Sequence, residues 1–344
     1  MQTQHLVQNC SSCGYEITSP TCVDCLKKHA ISFVGKKSEQ DIVEIMEFSK
    51  ILDGTTTCIK CKSPVTICNY CFNKEVKSLL DEIFENLNPW ERVQLSRHPK
   101  RPHTVDYIET IIEDFHEIRG DRHFADDPAM ITGFGKIENQ RVCVIGIEKG
   151  RRTKEKVNRN FGMPRPEGYR KALRVMKMAG RFNIPIVTFI DTPGAYPGIG
   201  AEERGQASAI AENLAELFDI RTPIIACVIG EGGSGGALGI AIADKVHMME
   251  YSVYSVISPE SCASILWADP KMAETAANSL QLSPEKALEL NVIDGIIKEP
   301  HGGAQKDPEA AMGAVKKVVL EEMKKLMKLD VESLLKNRFD KFRK

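Results

Sequence analysis

The stretch Gly230-Glu231-Gly232-Gly233-Ser234-Gly235-Gly236-Ala237-Leu238-Gly239 follows an apolar run, Pro223 to Ile229, and opens a small-residue run, Ala237 to Ala243. That order reads as strand, glycine turn, helix. Six glycines in ten residues lose backbone entropy on folding, roughly 0.5–1 kcal/mol each relative to Ala in a regular element, so the turn needs a reason. Without Cβ atoms a ligand oxygen can approach the backbone, and the first peptide N–H groups of a helix point outward with the positive end of its dipole behind them. The segment is therefore a candidate cradle for an oxyanion or a phosphate.

Several motifs overlap here. Gly230-x-Gly232-x-x-Gly235 spells a dinucleotide fingerprint, with Glu250 twenty residues on, and Gly232-x-Ser234-x-Gly236 spells a nucleophile elbow. Close strand-to-helix packing with no ligand is the plain alternative. A serine hydrolase using Ser234 would need a histidine in reach, and His247 and His301 are the downstream candidates.

Around this centre the chain alternates strands and helices. Pro185 to Ile190 is a short apolar strand, followed by a second glycine- and proline-rich loop, Asp191 to Gly200, and a helix expected from Glu202 to Phe218. Met130 to Ile137 and Arg141 to Glu148 form a hairpin turning at Asn139-Gln140, and a helix is expected from Thr104 to Ile118. Further strands fall at Val246 to Met249, Val253 to Ile257 and Ile293 to Ile297, and an amphipathic helix covers 307–329. The alternation argues for an α/β core. Two glycine loops, each after a strand and before a helix, converge at one sheet edge, the expected site.

At 344 residues, 42 % hydrophobic, 27 % charged and net charge −1, the chain has an ordinary globular composition with no global drive toward nucleic acid or anionic membrane. No apolar run reaches the roughly 20 residues of a spanning helix, and the N-terminus lacks a signal pattern. A cytoplasmic protein is expected. Of eleven cysteines, eight form four Cys-x-x-Cys pairs: Cys10/Cys13, Cys22/Cys25, Cys58/Cys61 and Cys68/Cys71. Two such knuckles complete a tetrahedral thiolate shell, so two structural Zn²⁺ ions are expected, grouped most simply as the first four and the last four cysteines. A disulfide framework would need a secretory context that the sequence does not announce. Cys143, Cys227 and Cys262 read as small core residues. The expected domains are a cysteine module at 1–74, a helical extension at 75–128, the core at 129–300 and a C-terminal helical region at 301–344.

Four motif groups together carry a family resemblance. They are Asn160-Phe161-Gly162-Met163-Pro164 with Pro166 to Leu173; Asp191 to Gly198 with Ala201 to Gln206; Gly230 to Leu238; and Tyr254 to Trp267. In this order they closely resemble the carboxyltransferase alpha subunits of multi-subunit acetyl-CoA carboxylase over roughly residues 80–340. The resemblance implies a crotonase-like (ClpP/crotonase) ββα-spiral core. It implies transfer of a carboxyl group from carboxybiotin, on a separate biotin carboxyl carrier protein, to acetyl-CoA, giving malonyl-CoA for fatty-acid synthesis. It also implies a beta subunit in an alpha2beta2 assembly and a biotin carboxylase partner that alone uses ATP. Under it the amides of Gly235 and Gly236 receive the biotin oxygen, and Gly232, Gly233 and Gly194-Ala195-Tyr196-Pro197-Gly198 line the substrate. Another acyl-CoA is the alternative substrate. In the family the zinc ribbon belongs to the beta subunit, so residues 1–74 depart from the pattern. Asp191, Glu202 and Glu203 are assigned a structural role as helix N-terminal charges, and Arg151, Arg152, Lys154, Lys156 and Arg159 either meet CoA phosphates or an acidic carrier face, or form a solvated basic loop.

Overall fold

The computed structural model describes Phe84 and residues 86–343, and the chain divides into two compact units, Met1–Leu87 and Asn88–Lys344. The four cysteine pairs lie outside the described residues. The second unit holds every described strand.

Helix α1 (Pro89–Ser96) starts from a reciprocal cap: Glu91 N–H donates to Asn88 Oδ1 and Asn88 N–H to Glu91 Oε2, both at 2.9 Å, with Pro89 in the first turn. Helix α2 covers Thr104–Ile111 and strand β1 Glu113–Glu117. The expected helix to Ile118 therefore stops seven residues early. The reason is tertiary: Glu113, His116 and Glu117 pair antiparallel with the next strand, and a sheet edge satisfies the same backbone groups that another helical turn would. Strands β2 (Met130–Ile137) and β3 (Gln140–Ile147) form the expected hairpin. Its two-residue turn is Glu138-Asn139, one position earlier than the sequence reading, with Glu138 at φ 54°.

From β3 to β5 each strand is followed by helix and then by a parallel neighbour. Helices α3 (Thr153–Asn158) and α4 (Pro166–Arg181) lead to β4 (Ile186–Thr192). Helices α5 (Ile199–Glu203) and α6 (Gln206–Glu216) lead to β5 (Ile224–Gly233). The single helix expected from Glu202 is thus two, broken at Gly205, whose φ of 80° is left-handed and open to glycine at little cost. Helix α7 (Ser234–Leu238) leads to β6 (Lys245–Met249), and β7 (Val253–Ser255) follows. Helices α8 (Pro259–Trp267), α9 (Ala273–Leu280) and α10 (Pro284–Glu289) precede β8 (Gly295–Ile297), and α11 (Pro308–Leu326) and α12 (Val331–Lys341) end the unit.

The sheet order is β1-β2-β3-β4-β5-β6-β8, antiparallel up to β3 and parallel beyond it. From β3 to β6 the order advances in one direction, so these crossovers wind one way and stack their helices on one face, and β7 then steps back to pair with β5. Residue alternation in β5 bears this out: Ile224, Ala226 and Val228 join the core formed with Tyr169, Met176 and Ala209 of α4 and α6. Ile225, Cys227 and Ile229 join the opposite core, with Tyr107 and Ile108 of α2 and Met312, Val315 and Val319 of α11. Both faces are covered, which is why β4 and β5 are continuous apolar runs and not alternating ones. Helix α4 buries Tyr169, Ala172, Leu173, Met176 and Ala179, one face at helical spacing. Cys143, Cys227 and Cys262 are buried, as expected of small core residues.

The last helix is latched by one side chain. Arg338, its side chain fully buried, donates to Asp244 Oδ1 and Oδ2 at 2.9 and 2.7 Å and to the carbonyls of Leu217, Ile220 and Thr222 at 2.8 Å. Replacing it with Ala strands the Asp244 carboxylate, and loss of one partner of a buried pair typically costs about 3–5 kcal/mol. Arg338→Ala is expected to lower the unfolding free energy by that much in chemical denaturation; a surface-like change below about 1 kcal/mol would show that the latch does not form.

Candidate active site

The glycine stretch is less of a loop than its composition promises. Strand β5 continues through Gly230 to Gly233, and Gly232 pairs with Thr192 of β4 on one side and Tyr254 of β7 on the other. The reversal falls on Ser234, a non-glycine residue at φ 52°, left-handed backbone that costs an L-residue about 1 kcal/mol or more. Helix α7 starts there, shorter than the small-residue run suggested, and its first-turn N–H groups have no partner within the helix.

Most of these glycines are explained by the protein itself. A Cβ on Gly230 would lie 2.7 Å from Asp191 Cγ, on Gly232 2.7 Å from the Tyr254 ring, on Gly233 2.8 Å from the Thr192 carbonyl and on Gly239 2.7 Å from the Tyr169 ring. A Cβ on Gly236 would run into the Gly194-Ala195 backbone, with Gly194 Cα at 2.8 Å. Gly235 alone in the bend has room for a Cβ, its nearest neighbour being Ile210 at 3.9 Å, an ordinary van der Waals contact. The plain packing reading therefore accounts for five of the six glycines, and Gly235 is left as the position where the backbone is bare without a protein neighbour requiring it.

The second glycine loop meets the first. Gly194 N–H donates to Thr192 Oγ1 at 3.0 Å, Thr192 Oγ1 donates back to the Gly194 carbonyl at 2.8 Å, and Tyr196 N–H donates to the Pro164 carbonyl at 3.0 Å. Gln206 Nε2 bridges the carbonyls of Pro164 and Tyr196 at 2.9 and 3.0 Å. The Tyr196 ring carries the Arg165 guanidinium 4.9 Å above it, and Gly198 is held close by the Tyr196 ring. Gly194, Ala195, Tyr196 and Gly198 are thus partly buried beside Gly236, while Pro197 is exposed.

Beneath both loops lies a set of charges. Lys149 Nζ sits 2.6 Å from Asp191 Oδ1 and 2.6 Å from Glu231 Oε2, and Arg97 Nε is 2.6 Å from Glu231 Oε1 while its other nitrogens reach Glu260. Glu231 N–H donates to Asp191 Oδ1 at 2.9 Å. Burial pushes the Glu231 carboxyl up, but Lys149 and Arg97 outweigh it and hold the group below the ordinary carboxylate range. Burial pulls the Lys149 ammonium down, and Asp191 and Glu231 more than offset that. One step away Arg101, fully buried, donates to the Ile229 carbonyl at 2.6 Å and to Glu299 at 2.6 and 2.9 Å. The segment Arg97 to His103 reads as a basic loop in the sequence, but Arg97 and Arg101 turn inward to meet buried acceptors. Neither they nor Lys149 stand out in the sequence. The available signal is Asp191 and Glu231, two carboxylates ending apolar strands, since a buried charge calls for a partner.

Asp191 has the structural role expected, but as an ion-pair partner 2 % exposed and not as a helix-terminal charge. Glu202 does sit in the first turn of α5. Of the basic loop, Arg151 pairs with Asp106 and Arg159 donates to the Pro128 carbonyl at 2.6 Å, while Arg152 and Lys154 are exposed. Of the two histidines that the hydrolase alternative names, His247 is removed by distance. His247 pairs with Cys227 in the sheet, seven residues before Ser234, which at about 3.3 Å per residue separates the two by roughly 20 Å. His301 follows β8, two strands from β5. No cluster of metal-ligating side chains occurs among the described residues, and no described helix is long and apolar enough to cross a membrane.

Fold and site together define an α/β protein with two glycine loops converging on one exposed backbone bend. A family model described as acetyl co-enzyme A carboxylase carboxyltransferase-like matches residues 38–344, and the chain belongs to that family. The acetyl-coenzyme A carboxylase carboxyl transferase subunit alpha of Xanthomonas axonopodis pv. citri (strain 306) is 54 % identical over 276 residues, 78 % of this chain and 86 % of that protein. The protein of the same name from Pasteurella multocida (strain Pm70) is 54 % identical over 268 residues, 78 % and 84 %. Among solved structures, transcarboxylase 12S aligns with a TM-score of 0.50 at 19 % identity over 63 % of this chain and 43 % of its own. The beta subunit of Pseudomonas aeruginosa geranyl-CoA carboxylase aligns at 0.50 and 18 % over 68 % and 44 %. The chain thus spans less than half of either solved protein, and these two likenesses speak for the fold.

The glycine geometry separates two neighbours. Gly236→Ala is expected to destabilise by about 1–3 kcal/mol or more, because the obstructing atoms are backbone and cannot swing aside. Gly235→Ala, in helical backbone with room for a methyl group, should be neutral or stabilising by up to about 1 kcal/mol. Chemical denaturation of both variants checks this, and the reverse order would contradict the packing.

Proposed function

We propose that the chain is the alpha-type subunit of an acetyl-CoA carboxylase carboxyltransferase and that its glycine bend steadies the anion left on biotin as the carboxyl group departs. Family membership and relatives 54 % identical over most of their length support the reaction class. The single observation that supports the site is Gly235, half-buried at the bend and the glycine there at which a Cβ would meet no protein atom closer than 3.9 Å.

The chemistry asks for such a group. In the transfer, the bond from carboxyl carbon to biotin nitrogen breaks and a bond to the methyl carbon of acetyl-CoA forms; the methyl proton passes to the vacated nitrogen. Negative charge develops on the ureido oxygen and, at the other substrate, on the thioester oxygen. Fixed N–H dipoles suit both because they do not reorganise, and loss of one such donor typically costs about 10²–10³ in rate. Here the Gly235 and Gly236 amides are assigned to the ureido oxygen, with the packing of Gly236 against Gly194 setting the angle of the turn. The loop Gly194 to Gly198 and Gly232-Gly233 shape the wall behind it. The thioester oxyanion is assigned to glycines of a beta subunit. That fits the exposed bend: the cavity beside Gly232 and Gly233 holds about 20 Å³, enough for about one water molecule, so a bicyclic urea would lie on the outer side of Gly235 and be enclosed by a second chain. No side-chain base is required, and the carboxylates near the bend are already engaged by Lys149 and Arg97.

The finer architecture follows the same reading: the one-way winding of β3 to β6 agrees with a crotonase-like spiral. A biotin carrier protein, a biotin carboxylase that uses ATP, an alpha2beta2 assembly and a cytoplasmic setting belong to the proposal by family analogy. Two structural Zn²⁺ ions on Cys10, Cys13, Cys22, Cys25 and Cys58, Cys61, Cys68, Cys71 are proposed from the knuckle spacing alone. Metal analysis of the reduced protein should return two zinc ions per chain; folded protein free of metal would overturn that assignment.

For the reaction, Gly235→Val is expected to lower malonyl-CoA formation by about 10²–10³ with an unchanged melting profile, whereas Ser234→Ala should retain most activity. Full transfer by a folded Gly235→Val protein would sink the reading, and near-complete loss in Ser234→Ala would restore the nucleophile that the distance to His247 argues against.

A further inference from the structure

We infer that Lys149 is a positioning residue for carboxyl transfer, clamping the two glycine loops at the separation the reaction needs. The inference rests on the function proposed above. Its ammonium is 2.6 Å from a carboxylate oxygen on each loop: Asp191, one residue before Thr192-Pro193-Gly194, and Glu231, between Gly230 and Gly232. Those carboxylates end adjacent parallel strands, where β4 and β5 shift register between Ile190 and Thr192. The ladder is irregular just there, so the strands alone do not dictate how the loops meet. Lys149 supplies the missing tie, and its own placement is tight, since its Cγ packs where a Cβ of Gly162 would lie 2.6 Å away.

The clamp is built at its other end too. Arg97 holds the second oxygen of Glu231 and reaches Glu260 in the first turn of α8. Beyond these, Arg101 and Tyr107 are near enough to feel the Asp191 charge, with Glu299 neutralising Arg101 and the Tyr107 hydroxyl turned to Met249 Sδ at 3.0 Å. Removing the ammonium would leave Asp191 and Glu231 as near neighbours with one cation fewer. At neutral pH their repulsion would part the loops; once Glu231 takes a proton, it can donate to Asp191 and close the gap again. The wild type has no such dependence, because Lys149 and Arg97 already hold Glu231 ionised.

The test is the pH profile of malonyl-CoA formation by the full chain co-purified with its partner subunits, from carboxybiotin and acetyl-CoA. Lys149→Met should lose about 10²-fold in kcat at neutral pH, with the KM for acetyl-CoA within about twofold of wild type. Its activity should then rise as pH falls, a limb absent from the wild type, and Lys149→Arg should recover part of the loss. A Lys149→Met enzyme with the wild-type kcat and profile, or one merely less heat-stable, overturns the clamp while leaving the proposed function standing. Should Lys149→Met fail to fold, Arg97→Gln, at a partly exposed position, reads the same tie: a fall in kcat at constant KM supports it, and an unchanged kcat rejects it. A wild-type complex that transfers no carboxyl group removes the proposed function and the clamp with it.

Discussion

Two carboxylates at the ends of adjacent buried strands, shared by one ammonium, set the terms for the rest of this molecule. Asp191 and Glu231 are 2 % and 7 % exposed, and a charge so placed is tolerable only if paired and hydrogen-bonded. Lys149 and Arg97 provide the pairing, and the Glu231 amide provides a further bond to Asp191. Meeting those needs draws the hairpin strand β3, the segment after α1 and the first turn of α8 toward one sheet edge. The polar residues beneath the bend are thus part of what brings the distant chain segments together.

The same edge explains the glycines. Strands bearing side chains could not bring Thr192-Pro193-Gly194 and Gly232-Gly233 to backbone contact, yet the close approach of Gly233 and Gly236 to that segment requires it. Five glycines satisfy the protein's own packing, and the turn is then forced onto Ser234 in left-handed backbone. A strained non-glycine residue persists only where its surroundings determine it more strongly than its own preference. Here they do: the strand runs to Gly233, Gly236 cannot move off Gly194, and one residue must reverse the chain between them. The strain at Ser234 is accounted for by packing, with no need for a nucleophile.

Much of this is legible in the residue pattern, and the gaps have physical causes. The apolar runs ending at Ile190 and Ile229 mark β4 and β5 because strands buried on both faces carry no alternation to misread. Helix α8 covers Pro259–Trp267, with the Ser258 side chain accepting from Ser261 N–H at its start. The helix expected to run to Ile118 stops short because its last residues pair with β2, and sheet pairing between distant segments leaves little local trace. The break before α6 turns on a single glycine inside an otherwise helical pattern. At the site, the glycine positions are visible in the sequence but their division is not, since only the neighbours in space distinguish Gly235 from Gly236. Lys149 and Arg97 are hidden for the same reason, each being separated from Glu231 by more than eighty residues of chain.

The division of labour between backbone and side chains follows from what each can do for a developing anion. An amide N–H carries a dipole and no net charge, so it can meet an oxyanion without having first attracted a resident counter-ion. A bare cation at the same point would be neutralised beforehand by any nearby carboxylate, and this sheet edge has Asp191, Glu231 and Glu260. Placing the cations underneath, each already matched to a carboxylate, and leaving neutral amide on the exposed side separates the two duties. Under the proposed function, the charges hold the loops and the amide meets the anion. Such an arrangement stays open on one flank by necessity, because the atoms that enclose the ligand cannot also pack against the bend that receives it. Under the proposed function, the enclosing surface is the part assigned to a second subunit.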